Sequence, residues 1–305
     1  MTIFGVHVNA QNKSLDDLLT LFATADRLGY GWVSASDHFP GSLGPMSHEA
    51  IALHTMIAAN TTRARCGMLV YSIPFRHPIV LASAVTTIDH LSGGRAAIGL
   101  GSGGAPKDFK LYGFPYPPIA ARSEMLEEGL ACITGLLRDD EVTFEGKHFQ
   151  ISGARNAPRP VQERLPVWVG TTGEQTGLRL VAQYADGWNA GGQSVESFTH
   201  KRAVLHEHCH RLSRDPSSVL CSVNLALGGD DRGIVPEVFQ DSALTGSVDE
   251  MAERIDAYVT AGADQVNIHV GLLERLGKGS ESKGGPYPWD FARLDGLARV
   301  FGLDA

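Results

Sequence analysis

RCGMLVYSIPFRHPIVLASAVTTIDHLSGGRAAIGLGSG, residues 65–103, reads as strand, helix, strand. A short apolar run, Arg65–Ser72, is followed by a helical pattern, His77–Leu91, in which Pro78 stands where a first helical turn tolerates the missing N–H. Ala96–Gly103 is a second short apolar run. This succession demands two parallel strands joined by a right-handed crossover.

The same alternation extends outward in both directions. The other apolar runs are Ile3–Asn9, Trp32–His38, Pro166–Thr171, Gly187–Gly191, Val219–Gly228 and Gln265–Gly271. The other helical patterns are Ser14–Leu28, Ser47–Thr61, Ile119–Leu137, Glu174–Tyr184, Val195–Leu212, Val248–Ala261 and Phe291–Phe301. Eight strands and eight helices in strict alternation predict an α/β fold, the TIM (β/α)8 barrel, which takes roughly 250 residues. The chain has 305. The surplus is assigned to insertions after strands 4 and 8: a hairpin over about 141–166, turning near Glu145-Gly146, and a polar segment over about 278–288. No linker marks a second domain, so residues 1–305 are expected to be one domain.

Composition bounds the function. An apolar fraction of 43% can offset the entropy of ordering the chain. Lys plus Arg number 26 against 34 Asp plus Glu, so a net charge of −8 gives no general attraction to nucleic acid or anionic membrane. No run approaches the roughly 18 apolar residues of a membrane span, and the N-terminus lacks a signal-peptide pattern, so a cytoplasmic protein is expected. The four cysteines show no C-x-x-C pair and read as reduced, buried thiols. His206, His208 and His210 lie two apart on a helix, diverge by about 200° and cannot share one metal, which leaves them as a solvated face. Glycine is in excess, 35 residues, and much of it falls at strand exits.

The strand faces point to a pocket. Gly5, His7 and Asn9 share one face of the first strand, Ser222, Asn224 and Ala226 one face of the seventh, and Gln265, Asn267 and His269 one face of the eighth. Polar groups turned into a barrel lumen need partners, so a deep, partly polar pocket is expected. Ser36-Asp37-His38-Phe39 ends the second strand, where barrel active sites lie, and His38 can exchange protons near neutral pH. Gly101, Ser102 and Gly103 end the fourth strand and could let a flat ring or a phosphate approach the backbone; taken alone, they read rather as a tight strand exit. Gly170, Thr171, Thr172, Gly173 and Thr176 leave the fifth strand and open a helix, a place suited to phosphate or, as plainly, to N-capping by Thr.

Beyond these local readings, Arg76-His77-Pro78, Leu91-Ser92-Gly93-Gly94-Arg95 and Gly99-Leu100-Gly101-Ser102-Gly103 resemble the signature region of the bacterial-luciferase-like flavin and deazaflavin oxidoreductases. Arg122-x-x-Met125, Phe144-Glu145-Gly146, Leu165-Pro166-Val167-Trp168, Ala185-Asp186-Gly187-Trp188-Asn189 and Gly246-Ser247-x-Asp249-Glu250 extend the likeness over nearly the whole chain. The resemblance implies a barrel holding coenzyme F420 or FMN at its C-terminal mouth. Within it, His38 implies the catalytic acid or base, and Asp37 a ring contact. Ser72-Ile73 implies the bulge behind the ring, at a position matching a non-proline cis peptide in many members. The 170–176 loop implies the phosphate site. Phe39 and His269 are expected beside a small-molecule substrate. The Thr143-Phe144-Glu145-Gly146 hairpin favours the F420-dependent class, whose chemistry is hydride transfer. Where several deazaflavin members carry a Glu after the Gly-Ser/Thr-Gly turn, this chain has Gly104, which leaves His38 as the acid/base candidate. The alternatives are an FMN-dependent monooxygenase and a non-catalytic cofactor-binding protein. The resemblance further implies a homodimer.

Overall fold

The computed structural model describes residues 2–41, 44–228, 237–271 and 289–303. Eight parallel strands close on themselves: β1 (Ile3–Val8), β2 (Trp32–Ala35), β3 (Arg65–Ser72), β4 (Ala96–Gly101), β5 (Val167–Gly170), β6 (Gly187–Asn189), β7 (Leu220–Leu227) and β8 (Gln265–Val270). Each pairs with the next, β7 pairs with β8, and β8 returns to β1 in the register Ile3↔Gln265 to Val8↔Val270. The expected (β/α)8 barrel is therefore formed. A two-residue strand, Ala243–Leu244, adds outside β7.

The helices are α1 (Leu15–Arg27), α2 (Ala50–Ala59), α3 (Pro78–Ser92), α4 (Pro106–Tyr112), α5 (Ile119–Arg138), α6 (Gly177–Tyr184), α7 (Val195–Arg211), α8 (Val248–Thr260) and α9 (Phe291–Val300). Local chemistry starts them. Ser14 with Asp17 and Ser247 with Glu250 form capping boxes at α1 and α8. His77 caps α3, Pro78 occupies its first turn, and Gly93 ends it at φ 66°, a conformation that favours glycine. Eight of these nine among the described residues match expected helical patterns to within a few residues. The ninth, α4, is an addition described below.

The expected hairpin forms as Val142–Glu145 against Gln150–Ala154. The other expected insertion, 278–288, lies outside the described residues. The main core lies between barrel and helices, with Leu18, Leu21, Phe22, Leu53, Phe198 and Tyr258 wholly inside. Cys66, Cys132, Cys209 and Cys221 are buried free thiols, as expected. Burial pushes the Cys66 thiol up to about 11 and that of Cys221 to about 12, so both are inert at neutral pH.

Inside the barrel the layers differ. Trp32 and Trp168 plug the lower lumen edge to face, 5.2 Å between ring centroids, against Leu69 and Ala97. Gly67 and Gly187 make room for them: a Cβ on Gly187 would lie 2.4 Å from the Trp168 ring. Above this plug runs the polar layer expected from the strand faces. Asn224 Oδ1 accepts from Asn267 Nδ2 at 2.9 Å and from Asn189 Nδ2 at 3.0 Å, and Gln265 Nε2 donates to Asn267 Oδ1 at 2.8 Å. Much of the polar layer is thus satisfied by mutual hydrogen bonds across the lumen, and of these four side chains Asn189 alone lines the cleft described below.

Candidate active site

A cleft of about 1120 Å³ opens at the C-terminal ends of β2 to β6. Its floor is made at β3. The β3–β4 register shifts between Met68 and Tyr71, and the Leu69–Val70 peptide is cis. This corrects the expectation that placed such a bond at Ser72-Ile73. Val70 projects between the ends of β4 and β5, where glycines admit it: a Cβ on Gly101 would meet Val70 Cγ2 at 2.6 Å, and one on Gly170 would meet Val70 Cγ1 at 2.8 Å. Ser72 borders the cleft and its buried hydroxyl has no hydrogen-bond partner. Ile73 does not border it. Its side chain is wholly buried against α5, where a Cβ on Gly129 would touch it at 2.7 Å, so it is a packing residue rather than a ligand contact.

Asp37 and His38 both line the cleft, with different partners. The Asp37 carboxylate takes Arg76 Nη1 at 2.5 Å, Arg76 Nη2 at 3.2 Å and the Ser72 N–H at 3.0 Å. It thereby fixes the turn that follows β3. Burial pushes the Asp37 carboxyl upward, and Arg76 opposes that shift. Arg76 also reaches Glu49 at 2.6 Å. Asp37 does not orient His38. That part belongs to Asp108, whose fully buried carboxylate lies 2.9 Å from His38 Nδ1.

Asp108 sits on α4, which leaves the cleft edge after β4. The pattern Pro106-Lys107-Asp108-Phe109-Lys110-Leu111-Tyr112-Gly113 carried the signal for this helix, with Pro in its first turn and Gly113 at its C-cap. It falls outside the eight strand–helix units of the barrel. Arg122, on α5, holds the carbonyls of Ser102 and Gly103, and its guanidinium lies over Tyr116, 4.2 Å from the ring centroid. Gly101, Ser102, Gly103 and Gly104 all border the cleft, so the β4 turn is both tight and open to a ligand.

Gly170, Thr171, Thr172, Gly173 and Thr176 form the opposite wall. Helix α6 starts only at Gly177, and Thr176 makes no side-chain capping bond. Thr171 Oγ1 accepts from the Gly173 N–H at 3.1 Å. Lys201 supports the loop from behind, donating to Thr172 O at 2.9 Å and to Glu174 at 2.8 Å. His208 is likewise buried, its Nε2 2.9 Å from Glu174 O, which corrects its expected place on a solvated face. Among the described residues no group of acidic, His or Cys side chains could hold a metal.

The two expected substrate residues stand outside this cleft. Phe39 belongs to an aromatic cluster with Phe75, Phe114 and Tyr112, at centroid distances of 4.9, 5.4 and 5.2 Å. His269 lies across the lumen, edge-on to His7 at 4.6 Å. His7 is hydrogen-bonded to Ser34 and Ser36, each at 3.0 Å. Burial, reinforced by nearby imidazoles, drives His7 well below its ordinary pKa and lowers His269 to about 4, so both are neutral at pH 7.

A model of the luciferase-like monooxygenase family matches residues 1–232. The chain belongs to this family. It is 31% identical over 209 residues to an F420-dependent glucose-6-phosphate dehydrogenase of Amycolatopsis mediterranei, covering 65% of this chain and 60% of that protein. A Microbacterium testaceum protein of the same name is 28% identical over 202 residues, covering 65% and 59%. The matched stretch therefore spans about three-fifths of either relative. In fold, this luciferase-like chain superimposes on an F420-dependent secondary alcohol dehydrogenase with a TM-score of 0.84, covering 100% of this chain and 99% of the other at 17% identity. No helix among its described residues is long and apolar enough to cross a membrane.

Proposed function

We propose that this luciferase-like chain is an F420-dependent oxidoreductase that transfers a hydride between the coenzyme and a small organic substrate. The observation that carries the reading is the pairing of His38 with a buried Asp108 on the wall of a glycine-cradled cleft. With its Nδ1 proton directed to Asp108, His38 keeps Nε2 to accept or return a substrate proton, and the carboxylate stabilises the imidazolium formed. Naming of the relatives as F420-dependent supports the choice of coenzyme.

The residues fit such a group. Gly101 and Gly170 admit Val70, which supplies an apolar floor, and the Ser72 hydroxyl awaits a partner. Gly101, Ser102, Gly103 and Ser72 would border the ring, whereas Gly170, Thr171, Thr172, Gly173 and Thr176 would receive the phosphate. The Thr176 hydroxyl is not spent on a helix cap. Asp37 acts behind this surface by fixing the Ser72 amide. When bound, the deazaflavin supplies the hydride-carrying carbon. The walls exclude water and His38 moves the proton.

Titration with coenzyme F420 and with FMN, followed by absorbance, tests the proposal. The expected result is saturable F420 binding and substrate-dependent loss or recovery of its absorbance. Preferential FMN binding, with oxygen consumed when the flavin is supplied in its reduced form, would instead support the monooxygenase reading, which the family's description favours. Binding of F420 without any turnover would leave a cofactor-binding protein. The same cleft is proposed to serve a soluble homodimer in the cytoplasm.

A further inference from the structure

The β8–β1 side of the barrel mouth carries three buried polar atoms without partners: Asn9 Nδ2, Gln11 Oε1 and His269 Nε2. None of them belongs to the cleft described above. Asn9 and Gln11 are 2% and 4% exposed. They lie together because β1 and β8 are neighbours, with His7 opposite His269 and the Asn9 N–H on Val270 O at 2.9 Å.

Their hydrogen-bond polarity is fixed by what surrounds them. The Gln11 backbone N–H, which can only donate, reaches Asn9 Oδ1 at 3.3 Å, so the Asn9 amide donor points away from that contact. Ser47 Oγ donates its proton to His38 O at 2.6 Å and can then only accept from Gln11 Nε2 at 3.3 Å. Gln11 therefore presents its carbonyl oxygen. The wall offers one oriented donor, one oriented acceptor and one imidazole nitrogen, and Ser47 ties it to the backbone of His38. All three are uncharged at neutral pH, His269 because burial holds it near 4. Lys13, close by in sequence, lies over the Trp289 ring at 4.0 Å and is already partnered.

We infer that Asn9, Gln11 and His269 form the substrate subsite, and that it takes a neutral compound with adjacent hydroxyl groups. One hydroxyl would accept from Asn9 Nδ2, and its neighbour would donate to Gln11 Oε1. A carboxylate or phosphate would satisfy the donor but meet the Gln11 oxygen with like polarity, and an alkyl group would leave both amides unpaired. This rests on the proposed function, since it places the substrate beside His38, but its binding test needs no turnover.

The probes are trans-cyclohexane-1,2-diol, cyclohexanol and cyclohexanecarboxylate, titrated into the full chain with and without coenzyme F420 and followed by saturation-transfer NMR. The diol should bind at least about fivefold more tightly than the mono-alcohol. Asn9→Asp keeps the contact to the Gln11 amide and removes the donor, so the diol preference should vanish. Gln11→Glu keeps an acceptor and should retain it. Melting temperatures within a few degrees of the parent establish that both variants are folded. Equal binding of diol and mono-alcohol, tightest binding of the carboxylate, or equal effects of the two substitutions would overturn the assignment. Diol preference without F420 reduction would uphold the subsite and count against hydride transfer. Turnover without diol preference would do the reverse.

Discussion

His38 Nδ1 lies 2.9 Å from a carboxylate oxygen of Asp108, which stands 70 residues later on a helix inserted after β4. The carboxylate is wholly buried, while the imidazole keeps a quarter of its surface open at the cleft. A buried carboxylate behind a partly open imidazole fixes the ring's orientation and leaves the far nitrogen facing the cleft.

Replacing Asp108 by Asn should lower kcat by roughly 10–100-fold and leave F420 affinity within about twofold. His38→Ala should cost turnover more than affinity, and the double variant should be no worse than His38→Ala, because the two groups act as one unit. Steady-state kinetics with parallel binding titrations check this. Equal losses in affinity and turnover for His38→Ala would remove its assigned role.

Val70 fills space that exists because Gly170 has no side chain. Gly170→Ala should destabilise the protein by about 1–3 kcal/mol through overpacking and weaken cofactor binding. Adding Val70→Ala should recover much of the stability. A double-mutant cycle by urea denaturation measures the coupling, and strictly additive effects would show that the two positions do not meet.

Arg76 is the counter-ion of a carboxylate whose side chain is only 2% exposed. Arg76→Met should cost about 3–5 kcal/mol at neutral pH by leaving Asp37 buried and unpaired. With its carboxyl raised further, the variant recovers stability as Asp37 takes up a proton, so its deficit should be smaller at pH 5 than at pH 8. Denaturation of parent and variant at both values gives the comparison.

His54 is fully buried between the Tyr71 hydroxyl at 3.0 Å and Cys66 O at 3.1 Å, and burial lowers its pKa to about 4. Its neutral form is the folded form. As pH falls below about 6.5 the unfolded chain takes the proton first, so stability should decline between about pH 6.5 and 4 and level off below. The part due to His54 is roughly 3 kcal/mol at most. His54→Gln should flatten that part of the profile, and an unchanged slope between pH 7 and 4 would count against it.

Much of the barrel was legible because its signals are local. Alternation within strands, Ser14 and Ser247 as helix starts, and Pro78 and Gly93 at the ends of α3 act over a few residues, and each strand–helix unit admits one handedness. Asp37, His38 and the glycine turns could be placed at the mouth because strand direction alone puts them there. Their partners were not legible in this way. Adjacent residues at a strand end diverge, so Asp37 meets Arg76 while His38 meets Asp108, 70 residues away.

The sequence by itself determined the (β/α)8 alternation, the luciferase-like family and the end of the barrel at which chemistry can occur, since all three rest on short-range patterns. Only the tertiary structure decided that Val70 rather than Ile73 forms the cleft floor. It alone brought Asp108 to His38 and left Asn9 Nδ2, Gln11 Oε1 and His269 Nε2 unpaired. Barrel closure sets side chains from distant segments against one another, and which buried polar atom finds a partner depends on separations of a few tenths of an ångström.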